Sequence, residues 1–192
     1  MVGVVIFELI ARLTKIPSVV VRKVIHVGMA LLSIGVSFVF DYHVMIWVGS
    51  VFALLFLGAR SVYQFRSLRD RKAESWGEIF FPLGIAVSAA IAPTQSIFIA
   101  ALLTLALSDT VAFIVGKHFT RAWRIIEGRT VAGSGAGFLV TLLVTTGCGF
   151  GILEALTTTA AVTVAEIFSK RGADNFTMPV IAAIILTLWV TL

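Results

Sequence analysis

The sequence predicts an all-α fold, a polytopic integral membrane bundle of about seven transmembrane helices. Of its 192 residues, 59% are hydrophobic and only 13% are charged. The mean hydropathy of +1.04 is far above that of an average soluble domain. This composition is typical of a chain that crosses a lipid bilayer several times.

Seven apolar segments have about the length that a helix needs to cross a bilayer. They lie near residues 24–40, 42–60, 76–92, 95–116, 131–150, 151–168 and 175–192. The linkers between them are short, so residues 1–192 are predicted to form a single domain. Residues 1–20 have no signal-peptide pattern and too short an apolar run to span, which predicts an interfacial or truncated helix.

The positive charges follow a simple topology. All 15 Lys and Arg residues fall before the first segment or in the second, fourth and sixth connections. The positive-inside rule makes these regions cytoplasmic, which places the N-terminus inside and the C-terminus outside. This membrane topology accounts for the net charge of +5, so no nucleic-acid partner is predicted. The oligomeric state is left open.

An acidic residue lies inside the fourth segment, in "ALSDTVAFIVGKHF". Asp109 precedes Gly116 by seven residues, which is ~10 Å of helix. A carboxylate is costly inside a membrane, so Asp109 is expected to face a polar pocket that opens on the cytoplasmic side. The alternative is that it only neutralises a nearby Lys or Arg.

The connection that follows, "GKHFTRAWRIIEGRTVAGSGAGF", is basic and then rich in glycine. Lys117, Arg129 and Thr130 lead to Gly133 and Ser134, where the fifth segment begins. Exposed backbone N–H groups and the helix dipole favour an anion at such a position, which predicts phosphate binding. The spacing is not that of a Walker P-loop. Close packing of helices is the alternative explanation for the glycines.

Two further polar groups are predicted at the same side of the membrane. In "RKVIH", Arg22 and Lys23 precede the first segment and His26 lies just inside it, although Arg22 and Lys23 could serve topology alone. In "SWGEIFFPLG", Glu78 lies within the apolar run and is a candidate for the substrate pocket.

A third group lies in "AEIFSKRGADNFTMP", which carries Glu166, Asp174 and Asn175. Oxygen ligands grouped in this way suit Mg²⁺, which takes one or two carboxylates and completes its shell with water and phosphate. The alternatives are an ion pair between Glu166 and Lys170 and a helix-capping role for Asp174. Carboxylates, bases and an anion-binding helix start are together the components of phosphoryl transfer.

Five motifs resemble, in chain order, those of the CTP-dependent polyprenol kinase family, which contains dolichol kinase and phytol kinase. They are "RKVIH", "SWGEIFFPLG", "LSDTVAFIVGKHF", "EGRTVAGSGAGF" and "AEIFSKRGADNFTMP". The resemblance extends from about Arg22 to Pro179. It implies a membrane-embedded kinase that moves the γ-phosphoryl group of CTP to the terminal hydroxyl of an isoprenoid alcohol, with Mg²⁺. The chain is shorter than the eukaryotic dolichol kinases, which implies an enzyme of the cytoplasmic membrane of a prokaryote with its active site facing the cytoplasm.

The resemblance also implies roles for single residues. Asp109 would coordinate Mg²⁺ or activate the lipid hydroxyl, with Glu166 as a metal or base candidate and Asp174 and Asn175 as metal ligands. The nucleotide and phosphate site would comprise Arg22, Lys23, His26, Lys117, Arg129, Thr130, Gly133 and Ser134, with Lys117 also catalytic. Family members often have Lys where this chain has Arg129, so that contact is expected to differ.

Two other functions fit parts of the pattern. A CTP-dependent cytidylyltransferase acting on a lipid phosphate would share the acidic membrane helix and a basic loop, but it would release pyrophosphate instead of CDP. A transporter could use Asp109 and His26 as ion relays. Transport is disfavoured because the polar residues are concentrated on one side of the membrane.

Overall fold

The structure, a computed structural model, describes residues 18–62, 75–119, 123–126 and 128–192. In these ranges it contains seven helices, close to the seven predicted positions. They are α1 (Ser18–Ser37), α2 (Val44–Val62), α3 (Gly77–Ile91), α4 (Gln95–His118), α5 (Val131–Gly147), α6 (Ile152–Phe168) and α7 (Asp174–Thr191). The prediction of an all-helical chain is confirmed apart from one short hairpin. Most of the predicted N-terminal helix, residues 1–20, lies outside the described residues, which begin at Ser18 with α1.

Helix α4 is the centre of the bundle and contains a π-helical turn. The α-helical parts Gln95–Leu103 and Asp109–His118 are joined by a π-turn at Thr104–Ser108. Ile97, Phe98 and Leu105 of this helix are buried in the core, together with Met178 and Leu186 of α7. The π-turn ends immediately before Asp109, and π-turns of this kind are frequent at functional sites.

The connection between α4 and α5 contains a β-hairpin, where the sequence indicated only a loop. Strands β1 (Arg124–Ile126) and β2 (Arg129–Thr130) pair antiparallel, and Gly128 lies between them with a φ of 85°. A left-handed φ suits glycine, which has no Cβ to clash with the backbone. The backbone N–H of Val131 donates to the carbonyl of Trp123 at 2.8 Å, which fixes the hairpin to the start of α5.

The two ends of the bundle differ in charge. All the Lys and Arg residues in the described ranges lie at the end formed by the start of α1, the ends of α2, α4 and α6, and the starts of α3, α5 and α7. We call this the cationic end. At the opposite end, His43 hydrogen-bonds to the exposed carboxylate of Asp41 through its backbone and side chain, and these bonds lower the pKa of Asp41.

Two of the described helices, α4 and α7, are long and apolar enough to cross a membrane. The apolar parts of α2, α3 and α5 are shorter, at Val44–Arg60, Gly77–Ile91 and Val131–Gly147. With 15 residues, α3 extends over only ~22 Å, less than the ~30 Å of a typical hydrocarbon core. That all seven helices cross a bilayer therefore stays a prediction.

Candidate active site

A cavity of about 390 Å³ opens at the cationic end, among α1, α4, the hairpin, α5, α6 and α7. It brings together ten residues that the sequence singled out. They are Arg22, Lys23, Asp109, Lys117, Arg129, Thr130, Gly133, Ser134, Glu166 and Asp174. Residues from six separate segments therefore share one site, while their chemical roles stay predictions.

Asp109 is buried at one wall of the cavity and is paired with Lys23. The ammonium group of Lys23 donates to a carboxylate oxygen of Asp109 and, at 3.3 Å, to its backbone carbonyl. The Nζ atoms of Lys23 and Lys117 also lie 5.6 and 5.9 Å from the centre of the Phe113 ring. Neutralisation by a lysine was the alternative role for Asp109, and the structure shows that this pair forms within the cavity itself.

Arg129 joins the other two carboxylates of the cavity. Its Nη1 donates to Oε1 of Glu166 at 2.6 Å, and its Nη2 donates to Oδ2 of Asp174 at 2.8 Å. The planar guanidinium group suits this geometry because its donors form a rigid fork. Glu166, only 1% exposed, has its charge balanced by Arg129 and not by Lys170, so the alternative pair predicted from spacing is wrong.

The start of α5 forms the third part of the cavity. Thr130 caps the helix, because its hydroxyl oxygen accepts a hydrogen bond from the backbone N–H of Gly133 at 3.1 Å. A Cβ atom on Gly133 would lie 2.7 Å from the carbonyl oxygen of Ala112 and 3.2 Å from Cα of Gly116. Gly133 is therefore needed for the close contact between α4 and α5, as the packing alternative predicted.

Ser134, in contrast to Gly133, has a polar side chain at the cavity. Its side chain lines the cavity and is 6% exposed, yet its hydroxyl has no hydrogen-bond partner among the described residues. A buried hydroxyl without a partner costs free energy, so a ligand oxygen at this position would be favourable. The helix dipole and the nearby cations favour an anionic ligand.

Three predicted site residues lie outside the cavity lining. The ring of His26 stacks on Phe81 of α3, with 4.7 Å between ring centres. Glu78 accepts a hydrogen bond from Nη1 of Arg60 at 2.7 Å, and Asn175 donates to the carbonyl of Gly77 at 3.3 Å. All three contacts involve α2 or α3, which contribute no residue to the described lining of the cavity.

The sequence missed Phe113, whose ring lies between the two lysines and lines the cavity. An apolar residue in an apolar helix gives no signal of its own. Its position four residues after Asp109, on the same helical face, was the available clue.

The carboxylates can be compared with what a metal ion needs. In the described ranges, no group of three or more His, Cys, Asp or Glu side chains is close enough to hold a metal ion. Asp109, Glu166 and Asp174 do line one cavity, and each has one oxygen engaged by Lys23 or Arg129. That these carboxylates hold Mg²⁺ stays a prediction, and it requires only one or two of them, because water and phosphate can complete the shell of that ion.

Comparison with known proteins gave one significant relative. Phytol kinase from Synechocystis sp. is 30% identical to this chain over 196 aligned positions, which cover 93% of this chain and 82% of that protein. No profile of a protein family matches the chain. No solved structure matches it significantly.

Proposed function

Because the chain belongs to the polyprenol and phytol kinase-like family, we propose that it is a kinase that phosphorylates the hydroxyl group of an isoprenoid alcohol. In this proposal the phosphoryl donor is CTP and the reaction requires Mg²⁺. The observation that carries the proposal is the cavity at the cationic end. It combines three buried or half-buried carboxylates, several cations and the unpaired hydroxyl of Ser134 at a helix start.

The triphosphate would bind between the hairpin and the start of α5. Ser134 and the dipole of α5 would contact phosphate oxygens, and Lys117 and Arg129 would neutralise their charge. Phosphoryl transfer depends mainly on positioning and charge neutralisation, so these contacts are the part of catalysis that this chain can supply. Arg22, Lys23 and Arg124 also line the cavity and add to its attraction for an anion.

Before a nucleotide binds, ion pairs hold the carboxylates of the cavity. Lys23 holds Asp109, and Arg129 holds Glu166 and Asp174, so that no buried carboxylate in the cavity lacks a cationic partner. When the nucleotide binds, its phosphates would compete with these carboxylates for Lys23 and Arg129. Glu166 and Asp174 would then hold Mg²⁺, which neutralises the charge on the transferring phosphoryl group.

The remaining carboxylate, Asp109, would act on the alcohol. It is buried and lines the cavity, which the hydroxyl end of the lipid would enter to reach it. Asp109 would accept the hydroxyl proton as the alcohol oxygen bonds to the γ-phosphorus. The bond from the γ-phosphorus to its bridging oxygen would break, and the nucleoside diphosphate would leave.

We further propose that the bundle lies in the cytoplasmic membrane with its cationic end facing the cytoplasm. Helices α4 and α7 have the length and composition of membrane spans. Large apolar side chains face outward on other helices as well, among them Trp47, Leu54 and Leu143, which are 75%, 67% and 70% exposed. Such surfaces are rare on soluble monomers. Contact with lipid tails explains them.

The decisive experiment uses the purified full chain in detergent with Mg²⁺, either CTP or ATP, and either phytol, another isoprenoid alcohol or phosphatidate. Mass spectrometry identifies the lipid and nucleotide products. We expect CDP and a lipid monophosphate from the alcohol, and no product when EDTA removes the metal. Pyrophosphate with a CDP-lipid would instead identify a cytidylyltransferase, and turnover with ATP alone would overturn the choice of donor.

A further inference from the structure

We propose that Asn175 is a positioning residue. In this assignment it fixes the start of α7 against α3 and thereby holds the carboxylate of Asp174 in the cavity. The inference rests on the proposed function, because it concerns how one of its acidic residues is placed. It differs from the expectation that Asn175 binds the metal directly.

The first observation is the direction of the Asn175 side chain. Asn175 is 4% exposed, and its Nδ2 donates to the carbonyl of Gly77 at 3.3 Å. A Cβ atom on Gly77 would lie only 2.8 Å from the same Nδ2 atom. The side chain is therefore packed against the backbone of α3 and does not line the described cavity.

The second observation is a close backbone crossing just before α7. Gly172 has a φ of 85°, and a Cβ atom there would lie 2.8 Å from both N and Cα of Gly77. The backbone N–H of Trp76 donates to the carbonyl of Arg171 at 2.8 Å. The segments 75–77 and 171–172 are thus joined without space for a side chain, and we call this contact the clasp.

The close backbone contact extends beyond the clasp to α3 and α7 themselves. A Cβ atom on Gly84 would lie 2.5 Å from the carbonyl oxygen of Asn175 and 3.1 Å from Cα of Phe176. Gly77 and Gly84 are seven residues apart and so lie on the same face of α3. Small residues at this spacing let two helices approach closely, which fixes the first turn of α7 against α3.

The segment 75–78 is itself anchored to α2 by Arg60. The guanidinium group of Arg60 lies 4.1 Å from the centre of the Trp76 ring and donates to the carbonyl of Ser75 at 2.8 Å and to Glu78 at 2.7 Å. Glu78, expected to be near the substrate, instead belongs to this anchor. The clasp therefore connects α2, α3 and α7.

The clasp acts on the cavity through the residue next to Asn175. One carboxylate oxygen of Asp174 accepts the backbone N–H of Asn175 at 3.1 Å, and the other accepts Nη2 of Arg129 at 2.8 Å. Both oxygens of Asp174 are held, one from the clasp side and one from the cavity side. Displacement of the Asn175 backbone would therefore move Asp174 relative to Arg129.

The test is a double-mutant cycle with Asp174→Asn in the phosphoryl-transfer assay. Asn175→Asp keeps the size and the oxygen atoms of the side chain but removes the donor to Gly77. We expect it to lower kcat by as much as ~100-fold with the KM for the alcohol unchanged, as a small misplacement of a catalytic group would. In the Asp174→Asn background the same change should alter kcat less than about twofold, because its effect passes through Asp174.

Two alternatives give different results. If Asn175 binds the metal directly, Asn175→Asp should retain activity, since a carboxylate is at least as good a ligand for Mg²⁺. If Asn175 only stabilises the fold, its effect should add fully to that of Asp174→Asn. Either result would overturn the proposal while leaving the proposed function intact.

A second variant distinguishes the proposed effect from general misfolding. A second measurement, hydrogen exchange, tests the proposal even when the wild type shows no activity. Gly84→Ala presses on the carbonyl of Asn175 without changing a polar side chain, and Gly28→Ala is its control because a Cβ atom there meets nothing within 4 Å. Hydrogen exchange should become faster at residues 173–177 in Gly84→Ala and Asn175→Asp, but not in Gly28→Ala. Unchanged exchange would refute the clasp whatever the activity. Absence of product from the wild type would refute only the proposed function.

Discussion

Each carboxylate of the cavity has a specific cationic partner. The two partners, a lysine and an arginine, differ in the geometry of their hydrogen-bond donors. Lys23 offers Asp109 a compact ammonium group, whereas Arg129 offers a planar fork to Glu166 and Asp174. The cost of removing one member is large because the remaining charge stays buried. Single substitutions in the cavity are therefore expected to affect both stability and turnover, and both must be measured for each variant.

The first residue-scale prediction concerns Asp109. Asp109→Asn keeps the shape of the side chain but removes the negative charge that would accept the hydroxyl proton. We expect kcat to fall by at least ~100-fold, the usual contribution of a general base. The assay is lipid phosphate formation by purified protein. Asp41→Asn, at the exposed opposite end, is the matched control and should retain wild-type turnover.

The second residue-scale prediction concerns Arg129, whose guanidinium group binds two carboxylates. Arg129→Lys retains the positive charge, but one ammonium group cannot reproduce the two-way contact with Glu166 and Asp174. Loss of one charged hydrogen bond, about 1.5 kcal/mol, corresponds to roughly a tenfold decrease in kcat/KM. Arg129→Gln should decrease it further.

Lys170→Gln serves as the control for loss of a cation, because Lys170 is exposed at the same end and lies outside the cavity lining. Equal activities of Arg129→Lys and the wild type would show that the fork geometry has no role. That result would also fit the occurrence of lysine at this position among the family members that the sequence resembles.

The position of one helix against another determines the shape of the cavity. Helix α5 approaches α4 through Gly133, whose missing side chain leaves room for the backbone of α4. This contact brings Ser134 and Lys117 to the same cavity. The glycine-rich stretch therefore has two features at successive positions, close packing at Gly133 and an unpaired hydroxyl at Ser134.

The element-scale prediction follows from this contact. Gly133→Ala must move α5, because the new methyl group would lie 2.7 Å from a backbone oxygen of α4. We expect a loss of about 1–3 kcal/mol in stability, as for other overpacked sites, together with reduced turnover. Gly135→Ala meets nothing within 4 Å and should be neutral or stabilising by up to ~1 kcal/mol. Thermal unfolding in detergent and the kinase assay measure both effects.

At the scale of the whole molecule, the alternation of helix direction concentrates every described Lys and Arg at one end. If this end is cytoplasmic, residues at the two ends must be accessible from opposite sides of the membrane. His43 and Lys170 are exposed at opposite ends, and Cys148 is the only cysteine of the chain.

The corresponding prediction uses His43→Cys and Lys170→Cys, each in a Cys148→Ser background. A membrane-impermeant maleimide should label His43→Cys in intact cells and Lys170→Cys only in inverted vesicles. Labelling of both from the same side would contradict the single-sided topology. Labelling of each after solubilisation is the control that both thiols are reactive.

The sequence predicted the helices and most of the residues that line the cavity for one physical reason. Apolar runs define helices in such a chain, and polar residues such as Asp109 and Glu166 are rare enough within them to stand out. The alternation of helix direction then groups these residues at one end before any contact is known.

Contacts around each helix could not be predicted in the same way. Residue spacing gave the end of the bundle at which His26 and Asn175 lie, but not that they face α3. The partner of Glu166 also depends on the hairpin, whose strands of three and two residues are too short to leave a periodic pattern. Only the three-dimensional structure brings Arg129 to Glu166 in preference to Lys170.

The π-turn at Thr104–Ser108 also constrains how this chain can change in length. An α-helix turns by about 100° per residue, whereas a π-turn closes its hydrogen bonds over one more residue, so removal of one residue from the turn itself would leave a continuous α-helix. A deletion between Phe98 and the turn, in the α-helical part that ends at Leu103, would instead rotate Asp109 relative to Phe98 by about 100°, although every side chain in the cavity would be unaltered. The spacing between the core contacts of Phe98 and the carboxylate of Asp109 is thus as much a part of the site as the residues that line it.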